Sequence, residues 1–198
     1  MALRAATDAP EITGQLIAEQ LPLQQLEFSA NILLRKIKPP LQVSAPHAVY
    51  TVGARNARDG KVLSAAQHSG WRCIVFDGES ETFSGEVDRL GEGEELPRFS
   101  HLTSGPSVWG TVDILLSAEA RPDIVQGDFE LRYLKVSGLY VASLWLYDRS
   151  SSGADLIVPL QPAPPPLEPG RFYRIRDFVE AVRVIAVRRL EFGEDEEP

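Results

Sequence analysis

The sequence predicts an α+β fold: an N-terminal helical hairpin, a mainly antiparallel sheet from two strand clusters, and a helix after each cluster. Three observations lead there. Apolar residues recur at helical spacing through the first forty positions, then again over 108–116 and 175–186. Between those stretches lie short runs rich in Val, Ile, Leu, Tyr and Trp, bounded by Gly, Asp and Ser. The composition is also ordinary for a folded chain, with 198 residues, 43% apolar and 24% charged, enough to bury a core. One domain is expected over 1–198. Its parts are a helical segment (1–40), a strand cluster plus helix (41–120), a second such unit (121–192) and an acidic tail (193–198).

The first helix is expected from Asp8 as N-cap and Pro10 near its first turn, with Ile12, Leu16 and Ile17 on one stripe. Pro22 opens a second helix carrying Leu23, Leu26, Ala30, Leu33, Leu34 and Ile37. Pro39-Pro40 ends it, because neither residue donates a hydrogen bond. From Leu41 the period becomes that of strands. Ala48–Ala54 and Trp71–Phe76 read as strands, Lys61–Gln67 fits neither type, and Asp77-Gly78 is a hairpin turn into Thr82–Val87. Asp88–Gly105 reads as a long exposed loop.

Ser104 or Ser107 then caps a helix to about Ala120, with Val108, Val112, Leu115 and Leu116 as its apolar stripe, and Arg121-Pro122 stops it. Three further strands follow: Phe129–Val136, Leu139–Tyr147 and Leu156–Leu160. Leu139–Tyr147 is apolar on both faces, as expected of a central strand covered on both sides or at a subunit contact. Gln161–Gly170 has five prolines in ten residues and reads as a stiff extended connector with two PxxP spacings. Arg174–Leu190 ends the fold as a helix with Ile175, Phe178, Val179, Val182, Ile185 and Ala186 on its buried face. The stretches Gly70–Ala120 and Gly138–Leu190 share an opening Ser-Gly and an Asp closing the apolar run, the outline of a duplication.

Charge narrows the partners. Lys plus Arg total 20 against 28 Asp plus Glu, a net charge of −8. Such a chain repels phosphate backbones, so no nucleic-acid partner is expected. The basic residues of 171–189 alternate with Asp177 and Glu180, as on a solvated helix face. The longest nearly apolar run has nine residues, too short to span a bilayer, and the first twenty lack the apolar core of a secretory signal. No membrane association is expected, and the expected location is cytoplasmic. In element order and acidity the chain resembles small dimeric export chaperones, a likeness of architecture alone that implies nothing about activity.

Reactive groups are sparse. His47, His68 and His101 lie 21 and 33 residues apart, each in a surface or turn context, a spacing unlike a zinc site. Cys73, the single cysteine, lies within an apolar run. No nucleophile elbow or phosphate-binding glycine loop occurs. Asp77, Glu79 and Glu81 lack the turn glycine and distal glutamate of a calcium loop. No catalytic residue, metal ligand or cofactor is therefore assigned. The expected function is a non-catalytic, self-associating protein-interaction or scaffold protein. The alternative is a small-molecule or peptide binder with a pocket between sheet and helix lined by Trp109, Tyr140 and Tyr147. A third reading is a hydrolase using Cys73 with His68 or His101. The core is expected to include Leu33, Val49, Trp71, Ile74, Val75, Val112, Leu115, Leu131, Val141, Leu144, Leu146, Ile157, Phe178, Val182 and Ile185.

Overall fold

The computed structural model describes residues 3–19, 41–76, 82–91, 97–150 and 153–193, the last two by backbone alone. The elements are β1 (Leu3–Arg4), α1 (13–19), β2 (Gln42–Val43), β3 (His47–Gly53), α2 (Ala54–Arg58), β4 (Gln67–Phe76), β5 (Thr82–Asp88) and β6 (Phe99–Ser104). Then come α3 (Pro106–Glu119), α4 (Pro122–Val125), β7 (Phe129–Ser137), β8 (Val141–Asp148), β9 (Leu156–Pro159), β10 (Tyr173–Arg174) and α5 (Ile175–Gly193). The result is a mixed α/β fold built on one ten-stranded sheet. Its main path runs β10-β9-β8-β7-β3-β4-β5-β6, with β1 beside β7 and β2 beside β4.

The two strand clusters are therefore halves of one sheet. They meet where β3 and β7 pair in parallel, from Ala48 opposite Arg132 to Gly53 opposite Ser137. Every other pairing on the main path is antiparallel. Helices α3 and α5 cover opposite faces of this sheet. On one face, Phe178, Val182 and Ala186 of α5 are buried against Val52, Leu134, Val136, Trp145 and Ile157. Burying a side chain of that size stabilises the fold by about 1.5–3 kcal/mol. On the other face, Ile114 and Ala118 of α3 meet Val49, Leu131, Tyr133, Leu144 and Val158. Strand β8 thus lies between two cores, which explains why its sequence is apolar on both sides.

A third cluster sits beside the first, on the α5 face. There Ile17 of α1 is fully buried against Trp71, Cys73, Val75, Phe83 and Val87. Gly85 lets it approach, because a Cβ there would lie 2.4 Å from Ile17 Cγ2.

Several expectations need correction. The first helix begins at residue 13, and Asp8 does not cap it. Its carboxylate accepts the Trp71 indole N–H at 3.3 Å instead. The expected second helix of the hairpin, with Leu33, falls outside the described residues, as do Asp77-Gly78 and most of 193–198. Within the supposed loop Asp88–Gly105 lies strand β6. Helix α3 has Gly105 as N-cap and no side-chain cap, with Pro106 opening its first turn. Its buried stripe is Val108, Thr111, Ile114 and Ala118, whereas Val112 and Leu115 are half-buried and Leu116 is exposed. The proline-rich connector is no extended rod. Gly170 N–H bonds Pro159 O at 2.9 Å and Leu167 is buried, so the segment closes back on the sheet end. In the proposed duplication, Gly70 lies inside β4 while Gly138 lies in the β7–β8 turn, so the paired Ser-Gly openings are not equivalent.

Candidate functional site

On the α3 face, side chains from four adjacent strands form a row of ionisable groups. The register sets His47 of β3 opposite Arg72 of β4, Arg72 opposite Glu86 of β5, and Glu86 opposite His101 of β6. Residues directly opposite in a sheet point to the same side. Arg72 is only 1% exposed, and its guanidinium carbon lies 4.1 Å from the centroid of the Tyr133 ring. Buried Glu86 is paired with Lys135 Nζ at 2.5 Å, reaching from β7 across β3 and β4, and with His101 Nε2 at 3.5 Å. Burial pushes the Glu86 carboxyl up, but the His101 hydrogen bond and the Lys135 charge outweigh it and hold the group down at about 2. Glu86 is thus charge-paired, while Arg72 rests on the Tyr133 ring and a long contact from Nη1 to Thr111 Oγ1 at 3.5 Å.

His47 is 2% exposed, and its Nε2 is shut off from solvent with no hydrogen-bond partner among the described residues, as is Nε of Arg72 beside it. Burial, then the charge of Arg72, takes the imidazole down to about 3, so it is neutral at physiological pH. A buried polar atom without a partner costs about 1–3 kcal/mol and calls for an explanation. His47 forms part of the wall of a pocket of about 180 Å³ between this sheet face and α3. Ile74 and Phe76 of β4, Leu131 of β7, Val112 and Leu115 of α3, and Leu3 of β1 supply apolar wall. Sheet alternation explains the set, since His47, Ile74, Phe76 and Leu131 all fall on the α3 face.

The aromatic residues expected to line a binding pocket do not share one. Trp109 is 50% exposed on α3, beside a cleft lined by Pro106, Pro159, Gln161, Pro169 and Gly170, among others. Tyr140 is 80% exposed in the β7–β8 turn, with a left-handed φ of 54°. Tyr147 lies near the far end of β8, on the α5 face. There its ring centroid is 3.6 Å from the Arg132 guanidinium carbon, which Tyr50 and Trp145 also face. Glu130 pairs that guanidinium at 2.7 Å, and Trp145 donates its indole N–H to Asp155 at 2.7 Å. This aromatic box is filled by the chain's own arginine.

Cys73 is fully buried under Ile17 and Phe83, and burial pushes its thiol up to about 12. A thiol so shifted supplies almost no thiolate at neutral pH. His101 is on the opposite sheet face, and His68 lies five residues back along the strand, roughly 16 Å away. The geometry opposes the hydrolase reading. His68 instead stacks on Tyr50 and lies 3.7 Å from Asp8. The expectation that each histidine is a surface or turn residue fails most clearly at His47.

His47, Arg72, Glu86, Tyr133 and Lys135 were not legible as a set in the sequence. The available signal was Arg72, a charge inside the apolar run Trp71–Phe76, because a buried charge demands partners. No helix among the described residues is long and apolar enough to cross a membrane. In comparisons with protein-family models, curated proteins and solved structures, no significant match is found.

Proposed function

We propose that the protein is a non-catalytic binding protein whose site is the pocket between the sheet and α3. The single observation that carries this reading is the pocket of about 180 Å³ between sheet and helix, lined mostly by apolar side chains with Arg4, Ser44, His47 and Glu119 as its polar members. Small-ligand sites have this character: an apolar concavity with a few placed polar groups that orient the ligand. The Glu86–Lys135 pair links β5 to β7 on the same sheet face. A ligand that binds only the folded state stabilises it by RT ln(1 + [L]/Kd), so the melting temperature climbs with ligand concentration. Thermal unfolding with millimolar benzene or toluene is expected to show a dose-dependent rise. Leu115→Trp, which fills the pocket, is expected to abolish it. An unchanged melting temperature in the parent protein contradicts the reading.

Self-association is the second reading, as a property of the same binding protein. It is supported by Trp109 and Leu116, 50% and 63% exposed and two helical turns apart on α3, with Val125 of α4 also exposed. Large apolar side chains grouped on one helix are typical of protein contacts.

A further inference from the structure

Apart from the pocket beneath α3, another concavity of about 380 Å³ lies between α3 and the segment that closes back from Pro159 to Gly170. That volume falls within the roughly 300–1,000 Å³ usual for ligand sites. Trp109 and Asp113, four residues apart on α3, line one side of it, and Pro159 and Pro169 belong to the other. The Trp109 ring is 50% exposed, and among the described residues it meets no other ring or cation and its indole N–H has no acceptor. Trp71 and Trp145, by contrast, are buried and donate to Asp8 and Asp155. Asp113 is the one charged residue of the cleft lining, and its exposed carboxylate has no ion pair or hydrogen bond among the described residues. Gly110 lies between the two on the same side. A Cβ there would meet Leu160 Cδ2 at 3.9 Å, an ordinary contact, so the packing of α3 does not call for a glycine. Glycine inside a helix is less stable than alanine, and here its effect is to keep the cleft open.

From this arrangement we infer that the cleft takes an arginine side chain of a basic partner protein, its guanidinium laid on the Trp109 ring and paired with the Asp113 carboxylate. An apolar occupant would take Asp113 out of water without a partner, which is costly. An anion would meet that carboxylate and a net charge of −8. A guanidinium stacks on an indole and gives a carboxylate two parallel hydrogen bonds, whereas an ammonium is a compact, strongly hydrated point charge. The partner is a protein because the exposed surface continues past the cleft to Leu116, 63% exposed, which a small free cation would leave uncovered. At −8 a second copy is less complementary to this cleft than a basic partner.

The test titrates a capped Ala-Arg-Ala tripeptide into the full chain, beside versions with lysine, citrulline or glutamate at the centre. The tryptophan indole N–H resonances are followed to about 10 mM peptide, close to saturation for a site of millimolar affinity. The arginine peptide is expected to shift the Trp109 resonance and leave those of Trp71 and Trp145 in place. It should bind about threefold tighter than the lysine peptide and about tenfold tighter than the citrulline one, with glutamate weakest. Asp113→Asn is expected to weaken it about five- to tenfold, and Gly110→Leu, which fills the cleft, to abolish it. Equal binding of the lysine or citrulline peptide overturns the arginine assignment. An unmoved Trp109 resonance in both the parent and Leu116→Asp, in which a second copy is kept off this face, overturns the site. Should either cleft variant fail to fold, arginine against citrulline in the parent protein decides by itself. None of these outcomes touches the pocket beneath α3.

Discussion

His47 ties the pocket to the stability of the fold through its protonation. In the unfolded chain its imidazole takes a proton near 6.5, whereas in the folded chain it does so only at about 3. Between those values the unfolded state binds more protons, so acid favours unfolding, and the contribution is complete only above 6.5. Glu86 acts in a lower window. Its carboxyl is held at about 2 against an ordinary 4.5, so its contribution is intact above 4.5 and lost as the pH falls toward 2. Urea unfolding is therefore expected to show stability dropping by about 2–3 kcal/mol between pH 6.5 and 4.5 through His47. In His47→Leu that part of the fall disappears and the steeper loss below 4.5 remains. An identical fall in both proteins contradicts the assignment. These roles were hidden in the sequence because a cross-strand partner is fixed by register. Positions 47, 72, 86 and 101 have no local relation until the strands are paired.

At the scale of elements, α1 is held through one close approach. A Cβ at Gly85 would meet Ile17 Cγ2 at 2.4 Å, inside any real contact. Gly85→Ala is expected to destabilise by about 1–3 kcal/mol, as overpacking of a core does. Adding Ile17→Ala should make the double variant cost less than the sum of the two single ones, a coupling that denaturant melts of the four proteins measure. Strict additivity contradicts direct packing of α1 on β5. The long strands were legible because their runs are apolar and turn-bounded. Strand β6 was not, since Phe99–Ser104 has only two large apolar residues and lies at the end of the sheet path. β1, β2 and β10 have two residues each, too few for any period to register. Helix α3 was legible in extent but rotated in orientation, because Leu116 is exposed while Thr111 is buried. Thr111 satisfies its hydroxyl on Ser107 O at 2.8 Å, which lets a polar residue occupy the inner stripe.

At the scale of the molecule, the parallel β3–β7 junction decides which residues meet. It makes one sheet of the two strand sets and gives α3 and α5 a face each. Local pattern carries no information about a junction between strands some eighty residues apart, so the proposed pocket of Trp109, Tyr140 and Tyr147 drew on three separate regions. For self-association, light scattering over the micromolar range is expected to show mass rising with concentration, and Leu116→Asp should suppress the rise. A monomer throughout contradicts the second reading and leaves the pocket untouched.

The sharpest test of a ligand pocket beneath α3 is a crystal soaked in benzene or toluene. A ring between Leu115 and Ile74 is the expected density. Density confined to other sites, with the pocket closed by its own side chains, would show that the site lies elsewhere.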